Sequence, residues 1–180
     1  MRVCAMWIGV LLASQAAAAE FRFDQSSSEL RFDGDYLGEA VPGRFERFSG
    51  VASFDPSQPL TIRFRTEIEV DSLNTDYADR DDSLRAPEFF DVATHPRALW
   101  ESDGACRAQG AGWECPGRLS LKGQTHPVPI TVTALADGSG VEGRATLDRL
   151  RFGVGTDDWA DPETIGPAVE VRFLLRWIKP

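Results

Sequence analysis

The feature that most constrains the fold of this chain is a strict alternation of apolar and polar residues, which recurs in several segments. In the clearest one, residues 61–70, apolar side chains stand only at even-numbered positions, and charged or hydroxyl side chains lie between them. The same pattern appears at residues 128–132 and 169–177. Successive side chains of a β-strand point to opposite faces, so the alternation predicts strands with one buried and one solvated face.

Five further segments carry a weaker form of this alternation, and they lie at residues 29–32, 44–54, 98–102, 117–121 and 143–154. Turn-forming residues separate the segments, as in Asp-Gly at 103–104. About eight half-buried strands joined by short turns favour an antiparallel sheet. Such a sheet can close into a barrel with an interior wide enough for one small ligand. A sandwich of two sheets remains the alternative.

A helical pattern occurs in one short window, residues 77–84. Thr75 or Asp76 precedes it as a candidate N-cap, and Ala86 with Pro87 follows it as a stop. We therefore expect one or two short helical turns there. Because no repeat, linker or low-complexity segment divides the chain, a single all-β domain is predicted over residues 20–180.

The first nineteen residues have the composition of a secretory signal. Arg2 is followed by an apolar stretch at 3–13 that is short for a membrane span, and the alanines at 17–19 offer a cleavage site. We expect the mature protein to begin at or near Glu20 and to reside in the periplasm of a bacterial cell.

The charge and the residue counts argue against several classes of function. Acidic residues number 28 and basic residues 19, which gives a formal net charge of -9 and disfavours a surface that binds nucleic acid. Two histidines and three cysteines are few ligands for a zinc site. No nucleophile elbow or reactive cysteine motif is present. The sequence thus predicts no nucleic-acid partner, no metal, no covalently bound cofactor and no catalytic residue.

Cys106 and Cys115 are spaced so that they would face each other across a hairpin. If Gly110 and Ala111 form a two-residue loop, the numbers of paired residues sum to 221, which pairs the two cysteines. Pairs of this non-hydrogen-bonded kind bring α-carbons to about 4.5 Å, a separation that a disulfide tolerates. We predict a Cys106–Cys115 disulfide, favoured by secretion to an oxidising compartment. Two separate buried thiols are the alternative.

Two acidic clusters raise the question of calcium binding. One comprises Asp76, Asp79, Asp81 and Asp82, and the other Asp157, Asp158 and Asp161. Neither has the spacing of a calcium loop, so we interpret them as a solvated helix start and a polar loop at the rim of a barrel. Arg80 and Arg85 are close enough in sequence to hold the first cluster in ion pairs.

A long stretch of the chain resembles the signature of the YceI-like family of secreted polyisoprenoid-binding proteins. The stretch reads Asp-Ser-Leu-Asn-Thr at 71–75 and Arg-Asp-Asp-Ser-Leu-Arg-Ala-Pro-Glu-Phe-Phe-Asp-Val at 80–92. Further matches lie at 43–45 with 48–50, 95–96, 117–123 with 127–128, and 149–155. The resemblance therefore covers nearly all of the chain that follows the predicted signal.

The resemblance implies an extended lipocalin-like antiparallel barrel. Its apolar interior would hold a long isoprenoid tail, such as that of a quinone. The candidate ligand-binding residues are Phe32, Phe45, Ile62, Phe64, Ile68, Phe89, Phe90, Leu99, Val132 and Phe173. Phe89 and Phe90, beside the helical window, are also candidates for closing or gating one end of the barrel.

Many members of the family have histidine where this chain has Ser27, Asp35 and Ser83. This histidine-poor pattern, with Trp159 and Ala160, is similar to the branch found beside or fused to membrane cytochromes of the b type. The resemblance implies a non-catalytic carrier or store for an isoprenoid lipid or quinone. The alternative is a packed barrel that docks through its acidic surface onto a b-type cytochrome or another redox partner.

Overall fold

The structure is a computed structural model that describes residues 19–55 and 57–178. Its strands are β1 (Ala19–Arg22), β2 (Glu29–Tyr36), β3 (Glu39–Phe45), β4 (Phe48–Asp55), β5 (Gln58–Glu69), β6 (Leu73–Asn74), β7 (Arg97–Ser102), β8 (Arg107–Gln109), β9 (Gly112–Cys115), β10 (Gly117–Leu121), β11 (Gln124–Pro127), β12 (Ile130–Ala134), β13 (Gly140–Asp148) and β14 (Ala168–Arg176). The α-helix is α1 (Ala78–Arg85), and short 3-10 helices span Val70–Ser72, Arg149–Phe152 and Asp157–Trp159. The predicted signal, residues 1–19, lies outside the described residues apart from Ala19, which begins β1.

The strands form two antiparallel sheets. The first has the order β1-β4-β5-β7-β10-β11, and the second has the order β6-β3-β2-β14-β13-β12-β9-β8. The predicted all-β, antiparallel fold is confirmed. The hydrogen-bonded ladders form two sheets rather than one closed sheet, which differs from the single barrel that we expected.

The chain joins the two sheets at their corners, so that their inner faces surround one interior. At residues 46–47 it leaves β3 of the second sheet and enters β4 of the first, and at 128–129 it passes from β11 to β12. A bridge between Phe23 and Trp177 ties β1 to the end of β14. The predicted segment 44–54 is therefore two strands, because alternation continues through a corner at which the pairing partner changes.

The helical window forms α1, as predicted, but neither predicted residue caps it. The N-cap position is Tyr77, which makes no side-chain capping bond. The Thr75 hydroxyl is 2.5 Å from Asp81 Oδ1 and donates to it. Two nitrogens of Arg44 donate to the Asp76 carboxylate at 2.9 Å each. Both candidate cap side chains therefore bind other groups, Thr75 binding Asp81 of α1 and Asp76 binding Arg44 of β3.

The predicted disulfide is confirmed, and the pairing across its hairpin follows the predicted register. Arg107 pairs with Glu114 and Gln109 with Gly112, and the α-carbons of Cys106 and Cys115 are 4.1 Å apart. The amide of Cys106 also donates to the carbonyl of Leu60. The bridge therefore fastens the β8–β9 edge of the second sheet beside β5 of the first.

Removing this bridge should lower the free energy of unfolding. Closing a loop of this length restricts the unfolded chain by about 2–3 kcal/mol, so the double substitution C106A/C115A is expected to cost that amount in urea denaturation. Thiol reagents should label neither cysteine of the unfolded protein until a reductant is added. Two reactive thiols in the non-reduced, unfolded protein would contradict the bridge.

Candidate ligand-binding cavity

The inner faces of the two sheets enclose a cavity of about 580 Å³, which is within the range of about 300–1,000 Å³ typical of small-molecule sites. Its wall follows the alternation of the strands, because only every second side chain points inward. On β14, for example, the lining residues are Val169, Val171, Phe173 and Leu175. The wall is predominantly aliphatic and aromatic, so the cavity suits a ligand that is mostly hydrocarbon.

Seven of the ten candidate ligand-binding residues line this cavity: Phe32, Phe45, Phe64, Ile68, Phe89, Phe90 and Phe173. They come from both sheets and from the segment that follows α1. Strand alternation therefore selected the inward face correctly for most of them, although contact with a ligand remains a prediction.

Three candidates do not line the cavity. Leu99 lies between Ala98 and Trp100, which both face the cavity, so its side chain points to the opposite face of β7. Ile62 and Val132 are buried in the hydrophobic core. Each is two residues beyond a lining residue of its own strand, which places it past the end of the cavity, where the sheets pack without a space.

The aromatic rings near the middle of the cavity support one another. The ring of Phe32 is 5.3 Å from that of Phe45, which meets Phe90 edge-on at 6.2 Å. Phe32 pairs with Gly43 on the neighbouring strand, where a Cβ atom would lie 2.3 Å from the Phe32 ring. Glycine at 43 therefore makes room for this ring, and edge-on or offset aromatic pairs add stability beyond area burial.

The deep end of the cavity is closed by buried side chains. Trp100 lines it and donates from its indole nitrogen to the carbonyl oxygen of Val128 at 2.9 Å. A Cβ atom on Gly117 would lie 1.9 Å from the Trp100 ring, so this ring packs directly on the glycine backbone. Ile130 and Leu175 complete the apolar floor.

The opposite end carries exposed aromatic residues and forms the mouth. Tyr36, Tyr77 and Trp159 all line the cavity, and they are 45%, 57% and 38% exposed. The backbone of Tyr36 bridges to Ile165, and the ring of Trp159 is 5.7 Å from that of Phe89. We call the end surrounded by these residues the mouth of the cavity.

A buried arginine, Arg149, holds the loop at the mouth. Its guanidinium donates five hydrogen bonds of 2.5–3.1 Å to the backbone carbonyls of Val154, Gly155, Trp159, Ile165 and Gly166. Burial lowers the pKa of Arg149 below its usual value, an effect that the charge of Asp148 opposes. All five N–H groups are used, so Arg149 has no donor left for a ligand.

Lys122 ties two further segments at this end. Its ammonium donates to the carbonyls of Pro87 at 2.7 Å and Gly153 at 2.6 Å. Burial lowers the pKa of Lys122, while nearby carboxylates oppose the change. The turn carrying Phe89 and Phe90 is thereby held against the loop that Arg149 organises.

Arg80 is the second cation in the part of the cavity wall that the described residues form. Its Nε donates to the Thr75 hydroxyl at 2.8 Å and its Nη2 to the Thr75 carbonyl at 2.7 Å. Buried Asp81 accepts from the amide and the hydroxyl of Thr75. The Arg80 guanidinium carbon is 5.7 Å from the centre of the Tyr77 ring. Thr75, which is itself held by Asp81, and the ring of Tyr77 thus fix this guanidinium in place.

The first acidic cluster differs from the sequence interpretation in two respects. Asp81 is buried rather than solvated, and Arg80 forms no ion pair with any carboxylate of the described residues. Arg85 does pair with Asp82, at 3.2 Å, as predicted. The hydrogen bonds from Arg44 hold the pKa of Asp76 below its usual value.

Two of the three positions at which family members carry histidine are at the mouth. Asp35 and Ser83 line the cavity, and Asp35 accepts a hydrogen bond from the amide of Gly38. Ser27 instead donates to Asp24 and is not part of the wall. Headgroup contacts are therefore possible at 35 and 83 but not at 27.

Sequence reasoning missed several lining residues. Val171 and Leu175 are two positions away from Phe173 on one strand, so the alternation that selected Phe173 could have found them. Trp100 could have been found in place of Leu99 by a one-residue shift in register. No local signal marks Arg149 as a lining residue, because the carbonyls that bind it come from residues 154–166. No local signal marks Arg80 either, because ion pairs with the neighbouring aspartates were equally within its reach.

Across residues 19–55 and 57–178, no group of three or more histidine, cysteine, aspartate or glutamate side chains is arranged to hold a metal ion. Within the same residues, no helix has the length and apolarity needed to cross a membrane.

The comparison with protein families decides what kind of chain this is. Residues 21–177 match the model of the YceI-like domain. The chain belongs to the YceI-like family. Among curated YceI-like relatives, a UPF0312 protein of Pseudomonas paraeruginosa is 33% identical, covering 95% of this chain and 92% of its own length. A UPF0312 protein of Pectobacterium carotovorum is 29% identical, covering 91% and 87%.

Solved structures share the YceI-like fold. Burkholderia cenocepacia BcnA is similar with a TM-score of 0.79 and 26% identity, over 85% of this chain and 98% of that one. A polyisoprenoid binding domain from Saccharophagus degradans, implicated in plant cell wall breakdown, has a TM-score of 0.64 and 17% identity, over 89% and 98%. The Campylobacter jejuni YCEI protein has a TM-score of 0.66 and 19% identity, over 79% and 87%.

Proposed function

We propose that this protein is a periplasmic, non-catalytic binding protein that holds an isoprenoid lipid in its cavity. The observation that carries the proposal is the apolar cavity of about 580 Å³ between the sheets. Its floor is built from buried side chains such as Trp100 and Ile130, while its mouth is open to solvent. A long hydrocarbon tail with a more polar end fits this division.

The energetics favour a long tail. Each methylene that leaves water contributes about 0.8 kcal/mol, so several isoprene units provide ample driving force despite the cost of ordering the chain. The relative from Saccharophagus degradans that shares this fold is a polyisoprenoid binding domain. Both considerations support an isoprenoid over a small polar ligand.

Within this class, we propose an isoprenoid quinone. The aromatic residues Tyr36, Tyr77 and Trp159 stand at the mouth, where a flat, aromatic-sized headgroup would lie if the tail occupied the floor. Secretion to the periplasm would place the protein beside the membrane in which such lipids dissolve.

The direct test is to purify the protein from its native host and to analyse an organic extract by mass spectrometry. The proposal expects an isoprenoid lipid in stoichiometric amount. A protein refolded from denaturant and then washed free of lipid is the control for carry-over. Repeated absence of any isoprenoid from the native extract would contradict the proposal.

Affinity should rise with the length of the isoprenoid tail until the cavity is full and should then level off, because each added unit buries more apolar surface. A series of quinones with increasing tail length can be titrated by following tryptophan fluorescence. Trp100 and Trp159 line the cavity and should report on the ligand, whereas Trp177 does not line it. An equal response at every tail length would contradict a tail-binding cavity.

A second candidate, docking to a b-type membrane cytochrome, is favoured by the charge of the mouth. Asp157, Asp158, Asp161 and Glu163 are exposed in the loop beside Trp159, so they would complement a basic surface. The packed barrel expected under this alternative is not observed, since the interior contains a cavity. Salt-sensitive association with a purified b-type cytochrome would support docking, and salt-independent or absent association would oppose it.

A further inference from the structure

We infer that Arg80 is the headgroup-binding residue of the cavity and that it selects a neutral headgroup with hydrogen-bond-accepting oxygens, as in a quinone, over an isoprenoid phosphate. The inference rests on the proposed function and adds the orientation of the ligand: headgroup at α1, tail towards Trp100.

The first step concerns the hydrogen-bond donors that the wall offers. Among the described residues, two cationic side chains line the cavity, those of Arg80 and Arg149. Arg149 gives all five of its N–H groups to backbone carbonyls. Arg80 uses two, both on Thr75, so three of its five N–H groups have no acceptor among the described residues. Arg80 is therefore the cation in this wall that can still donate to a ligand.

The second step concerns rigidity. A guanidinium that is already fixed loses little freedom when it binds, so it contributes more of each hydrogen bond to affinity. The bonds from Arg80 to Thr75, and those from Thr75 to buried Asp81, fix the guanidinium on one side. The Tyr77 ring covers the guanidinium, with its centre 5.7 Å from the guanidinium carbon. The unused donors are thus held in a defined position at the mouth.

The third step concerns charge. Asp35 and Asp79 line the same end of the cavity. Asp76 and Asp82 are also close by, but their charges are balanced by ion pairs with Arg44 and Arg85. The whole chain has a formal net charge of -9. A phosphate would bring up to two further negative charges into this field, whereas a quinone carbonyl accepts a hydrogen bond without adding charge. The surroundings of Arg80 thus favour the neutral headgroup.

The test compares three ligands with the same tail: a benzoquinone carrying a farnesyl group, farnesyl phosphate, and the hydrocarbon farnesene. Each is measured by displacement of a fluorescent lipid probe. In the wild-type protein, the quinone should bind most tightly. Arg80→Met should lower the affinity for the quinone about tenfold or more, the usual effect of losing a hydrogen bond from a charged donor. The affinity for farnesene should be unchanged.

Two further variants complete the test. Arg85 is on the same helix, but its guanidinium pairs with Asp71 and Asp82 outside the cavity. Arg85→Met should therefore leave the preference for quinone intact. Arg80→Lys keeps the charge but not the fork of donors, and should fall between wild type and Arg80→Met. Farnesene affinity in each variant reports whether the cavity is still folded.

The outcomes separate the two proposals. If no farnesyl ligand binds the wild-type protein, the proposed function fails. If farnesene and the quinone bind equally, or if Arg80→Met weakens both alike, the tail site stands but Arg80 is not the headgroup residue. Tighter binding of farnesyl phosphate than of the quinone would overturn the selectivity for a neutral headgroup.

Discussion

Replacing Gly34 with leucine should weaken lipid binding at least about tenfold while leaving the protein folded. Gly34 lies on β2 at an inward position and lines the cavity. A Cβ atom built on it meets nothing within 4 Å, so a side chain there would project into free space. Its φ is not in the left-handed region, so a larger residue adopts the same backbone. The leucine would occupy the volume that a tail or headgroup needs.

The expected result of Gly34→Leu is a loss of at least about tenfold in affinity for long-tailed quinones, because the buried methylenes of the ligand are displaced. Stability should be unchanged or higher, since glycine weakens a strand interior. Ala40→Leu adds similar bulk at an exposed position of β3, outside the wall, and is the matched control. Equal lipid content in Gly34→Leu and wild type would show that the ligand binds elsewhere.

Substitution of Arg149 should produce the largest loss of stability of any residue considered. It is 4% exposed, and its removal leaves five backbone carbonyls without their donor. Each unsatisfied buried acceptor carries a cost of its own. We expect Arg149→Ala to lower the free energy of unfolding by about 3–5 kcal/mol, at the upper end of single-substitution effects, because it breaks a buried hydrogen-bond network.

Urea denaturation monitored by circular dichroism measures this loss. Arg149→Lys should recover only part of it, because an ammonium has three donors for five carbonyls. Hydrogen exchange should increase first in residues 154–166, which those carbonyls anchor. Arg144→Ala removes an exposed arginine from the middle of strand β13 and should change stability by less than about 0.5 kcal/mol. A loss below about 1 kcal/mol for Arg149→Ala would contradict the anchoring role.

Strand β5 shows what a local sequence pattern can predict about the cavity and what it cannot. Period-two alternation identified the face of β5 that carries Phe64 and Ile68 correctly, because side-chain direction in a strand depends only on position along it. The same alternation could not say where along that face the cavity ends. Ile62 is on the correct face and still lies outside the cavity, since the local separation of the sheets decides whether a side chain meets space or another side chain.

The charged residues show a second limit. The sequence places Arg80 and Arg85 within one short helix among four aspartates, which is consistent with ion pairs for both. Within the described part of the chain, only Arg85 forms one, whereas Arg80 turns towards Thr75 and the cavity. Spacing on a helix states which neighbours are within reach, but burial and the competing acceptors of Thr75 decide which contact Arg80 makes.

The sequence by itself determined the all-β antiparallel class, the position of α1, the register of the hairpin that carries the Cys106–Cys115 disulfide, and membership of the YceI-like family. Each of these follows from neighbours along the chain or from an unbroken motif. Tertiary structure alone decided that the ladders form two sheets joined at corners and that a cavity remains between them. It also decided that Arg149 donates all five of its N–H groups to backbone carbonyls, while three N–H groups of Arg80 have no acceptor among the described residues. These properties depend on the distances between segments far apart in sequence, which no local period or spacing encodes.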